Sequence, residues 1–210
     1  MEFLNKFEEA SYIERVYFKN LNDNYGLYPL DKFKIEYMPY TEYTHYDLIV
    51  KDLVNCDKRS IVEIKCRTAF YNEGFVYEKS KHTYLTKVKE IDPKNISIIY
   101  INSTPRGTYV WNIDDIIHKY SIVKKEMNIA TMKSRNTKKN KSVYLLQIED
   151  ATHYPFIWDL DKLKVKLKEA KYGEHIEINK TKTKTIESKY YENNKEDDEI
   201  FWKKFFGEID

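Results

Sequence analysis

The chain has 210 residues, 41% apolar and 33% charged, with a formal net charge of +2. That length allows one domain of ordinary size with an appendage, and the near-neutral charge excludes a global basic field, so nucleic-acid binding has to come from local patches. The two cysteines, Cys56 and Cys66, lack metal-site spacing, which excludes a zinc site and a disulfide framework and fits a reducing compartment.

No apolar run approaches the ~20 residues needed to span a bilayer. The first residues, MEFLNKFEEA, are acidic where a signal peptide is basic. A soluble cytoplasmic protein is expected, with no membrane partner. Lys, Asn, Ile and Tyr are abundant while Gly, Ala and Arg are scarce. AT-rich coding, common in phage genomes, produces that bias, so the expected setting is a bacterial cell or a phage-infected host. The 19 tyrosines suit core edges with wet hydroxyls, and less often base stacking.

Residues 2–21 read as a helix, because Phe3, Phe7, Ala10, Tyr17 and Leu21 recur at spacings of three and four. Glu14 falls on that stripe, and Glu8 and Glu9 lie off it. Turn formers from Asn22 to Gly26 end the helix. FKIEYM from Phe33, Tyr46–Val50 and Ser60–Cys66 read as three strands joined by short turns, an antiparallel meander. Residues 76–90 read as a second helix. The continuous apolar run Ile96–Asn102 reads as a strand buried on both faces in mid-sheet.

TYVWNI follows as a strand, then a short helix from Asp114 or Asp115 through Tyr120, then a strand from Ser142 to Ile148. Residues 158–172 read as a helix, or as a strand from the alternation in KLKVKLK. The fold class is a mixed α/β (α+β) core, with a central mixed sheet flanked by helices. Residues 1–175 make the domain. Residues 176–199 are too polar to offset the entropy of ordering and read as a linker or arm. Residues 200–210 form an aromatic C-terminal segment.

The chemistry-bearing pattern is HYDLIV, a turn, then SIVEIKCR. Alternate residues of a strand share a face, so Glu63 and Lys65 point one way and Val62, Ile64 and Cys66 the other, into the core. Asp47 opens the neighbouring antiparallel strand and Glu63 lies near the end of its own, so Asp47, Glu63 and Lys65 converge. Two carboxylates at one place repel unless a cation sits between them. Mg²⁺, or Mn²⁺ as a substitute, suits such a place, held by Asp47, Glu63 and the Ile64 carbonyl. A lysine beside it would orient water or stabilise a pentavalent phosphorane. Taken alone, a Glu-x-Lys on a strand is ordinarily a solvated face or surface ion pair; the joint pattern is rarer.

The order helix with Glu, strand with Asp, strand with Glu-x-Lys, then helix resembles the PD-(D/E)XK nuclease superfamily, over roughly residues 5–100. Tyr46 stands where the superfamily's name has proline. The resemblance implies a restriction-endonuclease-like fold and a metal-dependent DNA endonuclease that leaves a 5′-phosphate. It implies Asp47 and Glu63 as metal ligands and Lys65 as the catalytic lysine. It also implies a first-helix acid, for which Glu14 is the candidate, the bland alternative being a salt bridge to Arg15 or a sheet lysine. It further implies a basic residue on the helix after the motif, Lys79 or Lys81, with Lys79 preferred. Arg67 and His45 are candidate phosphate contacts. The alternatives to a DNA endonuclease are a non-catalytic binding module on the same fold, and an RNA-processing enzyme with the same metal chemistry.

Lys133, Arg135, Lys138, Lys139 and Lys141 form an acid-free basic stretch, expected to be a loop that clamps a DNA backbone or is merely solvated. At the C-terminus, Ile200, Phe201, Trp202, Phe205 and Phe206 crowd one segment. Residues 199–206 weakly resemble sliding-clamp-binding peptides; packing on the chain's own core or on a second subunit, as in a homodimer, is the commoner use.

Overall fold

The computed structural model describes residues 6–39, 44–128 and 138–157. Helix α1 (Lys6–Tyr25) buries Tyr12, Ile13, Val16, Tyr17, Phe18 and Leu21, a wider face than the single stripe expected. It runs through the turn formers and stops at Gly26, which takes φ +59° and donates its N–H to the Asn22 carbonyl at 2.7 Å. A left-handed residue closing the last turn is a favoured helix ending, open to glycine at little cost.

Strands β1 (Phe33–Tyr37), β2 (Leu48–Asp52) and β3 (Arg59–Cys66) make the expected antiparallel meander, with Leu48 opposite Val62. The chain then differs from expectation. Residues 75–78 form a short strand, β4 (Phe75–Glu78), and helix α2 (Lys79–Ile91) begins only after it. Strand β5 (Ile96–Thr104) returns parallel to β3, setting Tyr100 beside Glu63 and Asn102 beside Lys65.

Strand β6 (Gly107–Asn112) pairs antiparallel with β5, and the short α3 (Ile113–Ile116) continues into a 3-10 turn at Ile117–Lys119. Two lysine-bearing strands follow, β7 (Val123–Asn128) and β8 (Lys138–Leu146), then β9 (Thr152–Tyr154). The expected basic loop is corrected here: Lys138, Lys139 and Lys141 lie on β8, while Lys133 and Arg135 lie outside the described residues. So do the expected element at 158–172, the arm at 176–199 and the aromatic segment at 200–210.

The main sheet runs β1-β2-β3-β5-β6-β9, with β5 inside it as its apolar sequence requires, and a second sheet runs β4-β8-β7. Among the described residues only the β3–β5 pair is parallel, so the central sheet is mixed. On one face Tyr17, Phe18 and Leu21 of α1 pack with Leu48, Val50, Val62, Ile64 and Ile101. On the other, Ile49, Ile61, Ile98, Tyr100 and Trp111 pack with Leu85 and Val88 of α2 and with Phe75, Tyr77, Tyr144 and Leu146 of the small sheet. Both faces of β3 are therefore covered, and charged residues near its end are forced into partnerships. Among the described residues, no helix is long and apolar enough to cross a membrane.

Candidate active site

Asp47 sits just before β2, where the strand bends. Its N–H donates to the Val62 carbonyl at 2.8 Å, and its carbonyl accepts from Met38 at 2.9 Å. Its carboxylate turns back onto the sheet and accepts the Ile64 N–H at Oδ2, 2.7 Å away. The side chain thus takes the place of a ladder acceptor at the point where the ladder stops. The extrapolated β2–β3 register sets Asp47 opposite Glu63, and the two carboxylates are 6% and 1% exposed as residues.

Three cations meet these acids. Lys65 Nζ lies 2.8 Å from Glu63 Oε1 and 3.2 Å from Glu14 Oε1. Lys81 Nζ, from the first turn of α2, bonds the same Glu63 Oε1. Arg15 of α1 lies 3.5 Å from Asp47 Oδ1. Glu14, Asp47 and Glu63 are thereby balanced by Lys65, Lys81 and Arg15. The lysine side chains are the more exposed members, at 30% and 20%, and the Glu63 side chain lies beneath them at 2%.

Crowding sets the protonation order. Burial pushes the Glu14 carboxyl up to about 7, with Lys65 pulling down and Asp47 and Glu63 pushing up. Burial, and then Glu63, also raise Asp47, against the pull of Lys65 and Arg15. For Glu63 burial again acts upward, but Lys65 and Lys81 together outweigh it and the group titrates below the usual range. Burial alone would lower Lys65; Glu14, Glu63 and Asp47 more than reverse it, so its ammonium stays charged. The difference between Glu14 and Glu63 follows from Glu63 holding two ammonium groups at hydrogen-bond distance where Glu14 holds one.

That order gives a stability prediction. Glu14 has its folded value raised from 4.5 to about 7. The folded state therefore binds more protons than the unfolded chain between those values, and stability falls as pH rises through that window. Glu14→Gln should flatten the fall; urea melts of metal-free protein at pH 5 and 7.5 check it. An equal drop in wild type and variant would contradict the assignment.

The sequence candidates divide clearly. The structure brings Asp47, Glu63, Lys65 and Glu14 together, with Glu14 paired to a sheet lysine. Ile64 joins through its N–H to Asp47. Lys79 is exposed and lies off the site; Lys81, two residues on, is the α2 lysine that reaches Glu63. With α2 starting at Lys79, Lys81 shares a face with Leu85 and Val88, four and seven residues later. Arg67 turns to Asn102, donating from Nε to Oδ1 at 3.3 Å. His45 stacks on Tyr84 of α2 with ring centroids 3.7 Å apart. Burial, and then Lys81, press the His45 imidazole down to about 4, so it is neutral. Lys138 pairs with Glu126 at 3.3 Å and Lys141 with Glu78 at 2.9 Å, not with Glu14, Asp47 or Glu63.

Sequence reasoning named Arg15 only as an alternative partner for Glu14 and missed its place beside Asp47. It is fully buried and bonds the Met38 carbonyl, the Ser11 carbonyl at 2.7 Å, the Ser11 hydroxyl and the Pro39 carbonyl at 3.3 Å besides Asp47. Its signal was faint: an arginine flanked by Tyr12, Val16 and Phe18 inside an apolar helix has to find acceptors. No protein-family model matches the chain, and no curated protein is similar to it. Function therefore has to be read from the geometry of the site itself.

Among the described residues, no trio of His, Cys, Asp or Glu is arranged to hold a metal ion. The donor chemistry nevertheless fits Mg²⁺, which commonly takes one or two carboxylates and keeps its waters. Asp47 and Glu63 are buried oxygen donors, and burial first, then repulsion from Glu63, raise Asp47. A divalent cation would relieve that repulsion.

Proposed function

We propose that the chain is a divalent-metal-dependent phosphodiester hydrolase acting on DNA, built on a restriction-endonuclease-like core. The observation that carries the proposal is the convergence of Asp47, Glu63, Lys65 and Glu14 at one end of the β2–β3 pair. Asp47 and Glu63, with the Ile64 carbonyl, would hold the ion. Bound there, it supplies a polarised phosphate and a more acidic water.

The chain's own side chains do the rest. Lys65, kept protonated by Glu14 and Glu63, donates to the phosphate oxygen on which charge develops and does not act as a base. Glu14, at about 7, can take up a proton on its carboxylate near neutral pH. Lys81 holds Glu63 from α2 until the ion takes its place. Asp47 is held by the Ile64 N–H and Arg15.

A second reading, a non-catalytic DNA-binding module, is favoured by one feature: Glu63 Oε1 takes both lysine ammonium groups. Incubation of plasmid and single-stranded DNA with Mg²⁺ or Mn²⁺ separates the two. Cleavage is expected in wild type, abolished by EDTA, and reduced roughly 10²–10³-fold in Lys65→Ala, the scale of losing one charge-stabilising donor. Binding without cleavage under either ion supports the module instead, and cleavage unchanged in Lys65→Ala removes the lysine's assignment.

A further inference from the structure

The geometry points to the β7–β8 hairpin as an arm that enters the major groove of duplex DNA. This rests on nucleic acid as the substrate of the proposed function, and adds that the substrate is a duplex.

Register sets the hairpin apart from the core. Strand β4 pairs with β8 only over Val143–Leu146, ending where Glu78 faces Val143. Among the described residues, β8 beyond that point is paired by β7 alone, over the five residue pairs from Lys124–Ser142 to Asn128–Lys138. The antiparallel rise of ~3.4 Å per residue makes this free ribbon about 14 Å long. Lys124, Glu126, Lys138, Lys139 and Asn140 are exposed, and Lys125, Met127, Lys141 and Ser142 are half-buried. Residues on both faces of the ribbon are thus exposed to solvent, as expected of an element standing clear of the core.

Its charge is one-sided, with five lysines against one acid, Glu126. Lys125 sits directly opposite Lys141. Like charges facing across a strand pair are destabilising, and among the described residues they are met only by Glu73 at 3.4 Å and Glu78 at 2.9 Å. A polyanion would relieve that repulsion.

Position points the same way. The ribbon leaves the small sheet at the end where β4 stops and α2 starts, and Lys81 in that first turn of α2 bonds Glu63. Lys141 ties the ribbon's root to Glu78, the residue before α2. The arm therefore springs from the site end of the molecule. The B-DNA major groove is about 12 Å wide and 8.5 Å deep and admits a two-stranded ribbon. The major groove of A-form RNA is too narrow for side-chain reading.

Fluorescence anisotropy of the full chain in EDTA, on a short labelled duplex, tests this. Wild type should bind the duplex more tightly than either single strand or the matching RNA duplex. Lys124→Gln/Lys125→Gln/Lys139→Gln should weaken duplex binding by about tenfold or more, and flatten the log–log salt slope by about 0.9 for each phosphate no longer neutralised. Lys139→Glu alone should act in the same direction. Lys87→Gln/Lys94→Gln, on exposed lysines elsewhere, should change neither. Methyl green, a major-groove ligand, should displace the protein, and netropsin, a minor-groove ligand, should not.

Duplex binding unchanged in the ribbon variants, an equal loss in the control, or tighter binding to single strands or RNA would overturn the inference. Displacement by netropsin alone would overturn the groove assignment. With EDTA present throughout, a lack of hydrolysis strikes the proposed function and leaves this test intact. Unaffected duplex affinity strikes the arm and leaves hydrolysis intact.

Discussion

Asp47→Asn should reduce DNA hydrolysis by about 10³-fold while leaving the protein folded. The amide keeps the shape of the side chain and can still accept the Ile64 N–H, the 2.7 Å bond that anchors it to β3. What it removes is one buried negative charge. That charge is costly in the ion-free protein, because burial and Glu63 both push the Asp47 carboxyl towards its neutral form. Arg15 keeps its Ser11, Met38 and Pro39 acceptors, so the loss leaves the fold standing and takes one of two carboxylates from the proposed ion. The expected rate loss corresponds to about 4 kcal/mol of transition-state stabilisation. Cleavage assays beside thermal melts check it. Hydrolysis within a few-fold of wild type would remove Asp47 from the mechanism, and a collapse of the fold would make its role structural.

Arg15→Met should have the largest effect on stability. Arg15 is fully buried, with acceptors from Ser11, Met38, Pro39 and Asp47 converging on its guanidinium. Removing it strands Asp47 beside Glu63 and leaves the Met38 and Pro39 carbonyls without that donor. Breaking a buried ion pair from one side costs about 3–5 kcal/mol, which in a domain of this size lowers Tm by roughly 6–20 °C. The double variant Arg15→Met/Asp47→Asn should recover part of that loss, because the stranded charge is gone. A drop below about 1 kcal/mol, or strict additivity of the two substitutions, would show that Asp47 does not depend on Arg15.

Much of this architecture was legible in the sequence, for physical reasons. The meander and the mid-sheet strand β5 carry strong apolar patterns because both faces of the sheet are covered. Asp47, Glu63 and Lys65 were visible as charges interrupting those patterns. The failures have equally specific causes. Strand β4 has four residues, FVYE, too few to separate alternation from the helix that follows. The helix begins at Lys79, and Lys81, four residues before the buried Leu85, is the lysine turned inward.

The ribbon segments VKKEMN and KKNK carry two apolar residues, Val123 and Met127, neither of them fully buried, because the ribbon lies largely outside the core. Periodicity is silent there, and the lysines read as a loop. Glu8, placed off the helix stripe from sequence, is buried, since α1 hides a wider face than one stripe. Arg15 escaped for the same reason. A sequence shows which residues are out of place in an apolar setting more readily than which acceptors wait for them.

The catalytic proposal requires two buried carboxylates to share one divalent ion. Anomalous difference density in a crystal soaked with Mn²⁺ is its sharpest test. A peak coordinated by Asp47 and Glu63 at about 2–2.5 Å is expected, as for hard cations and oxygen ligands, with the Lys65 and Lys81 ammonium groups displaced from Glu63 Oε1. Density for Mn²⁺ elsewhere, with Glu63 still bonded to both lysines, would contradict it.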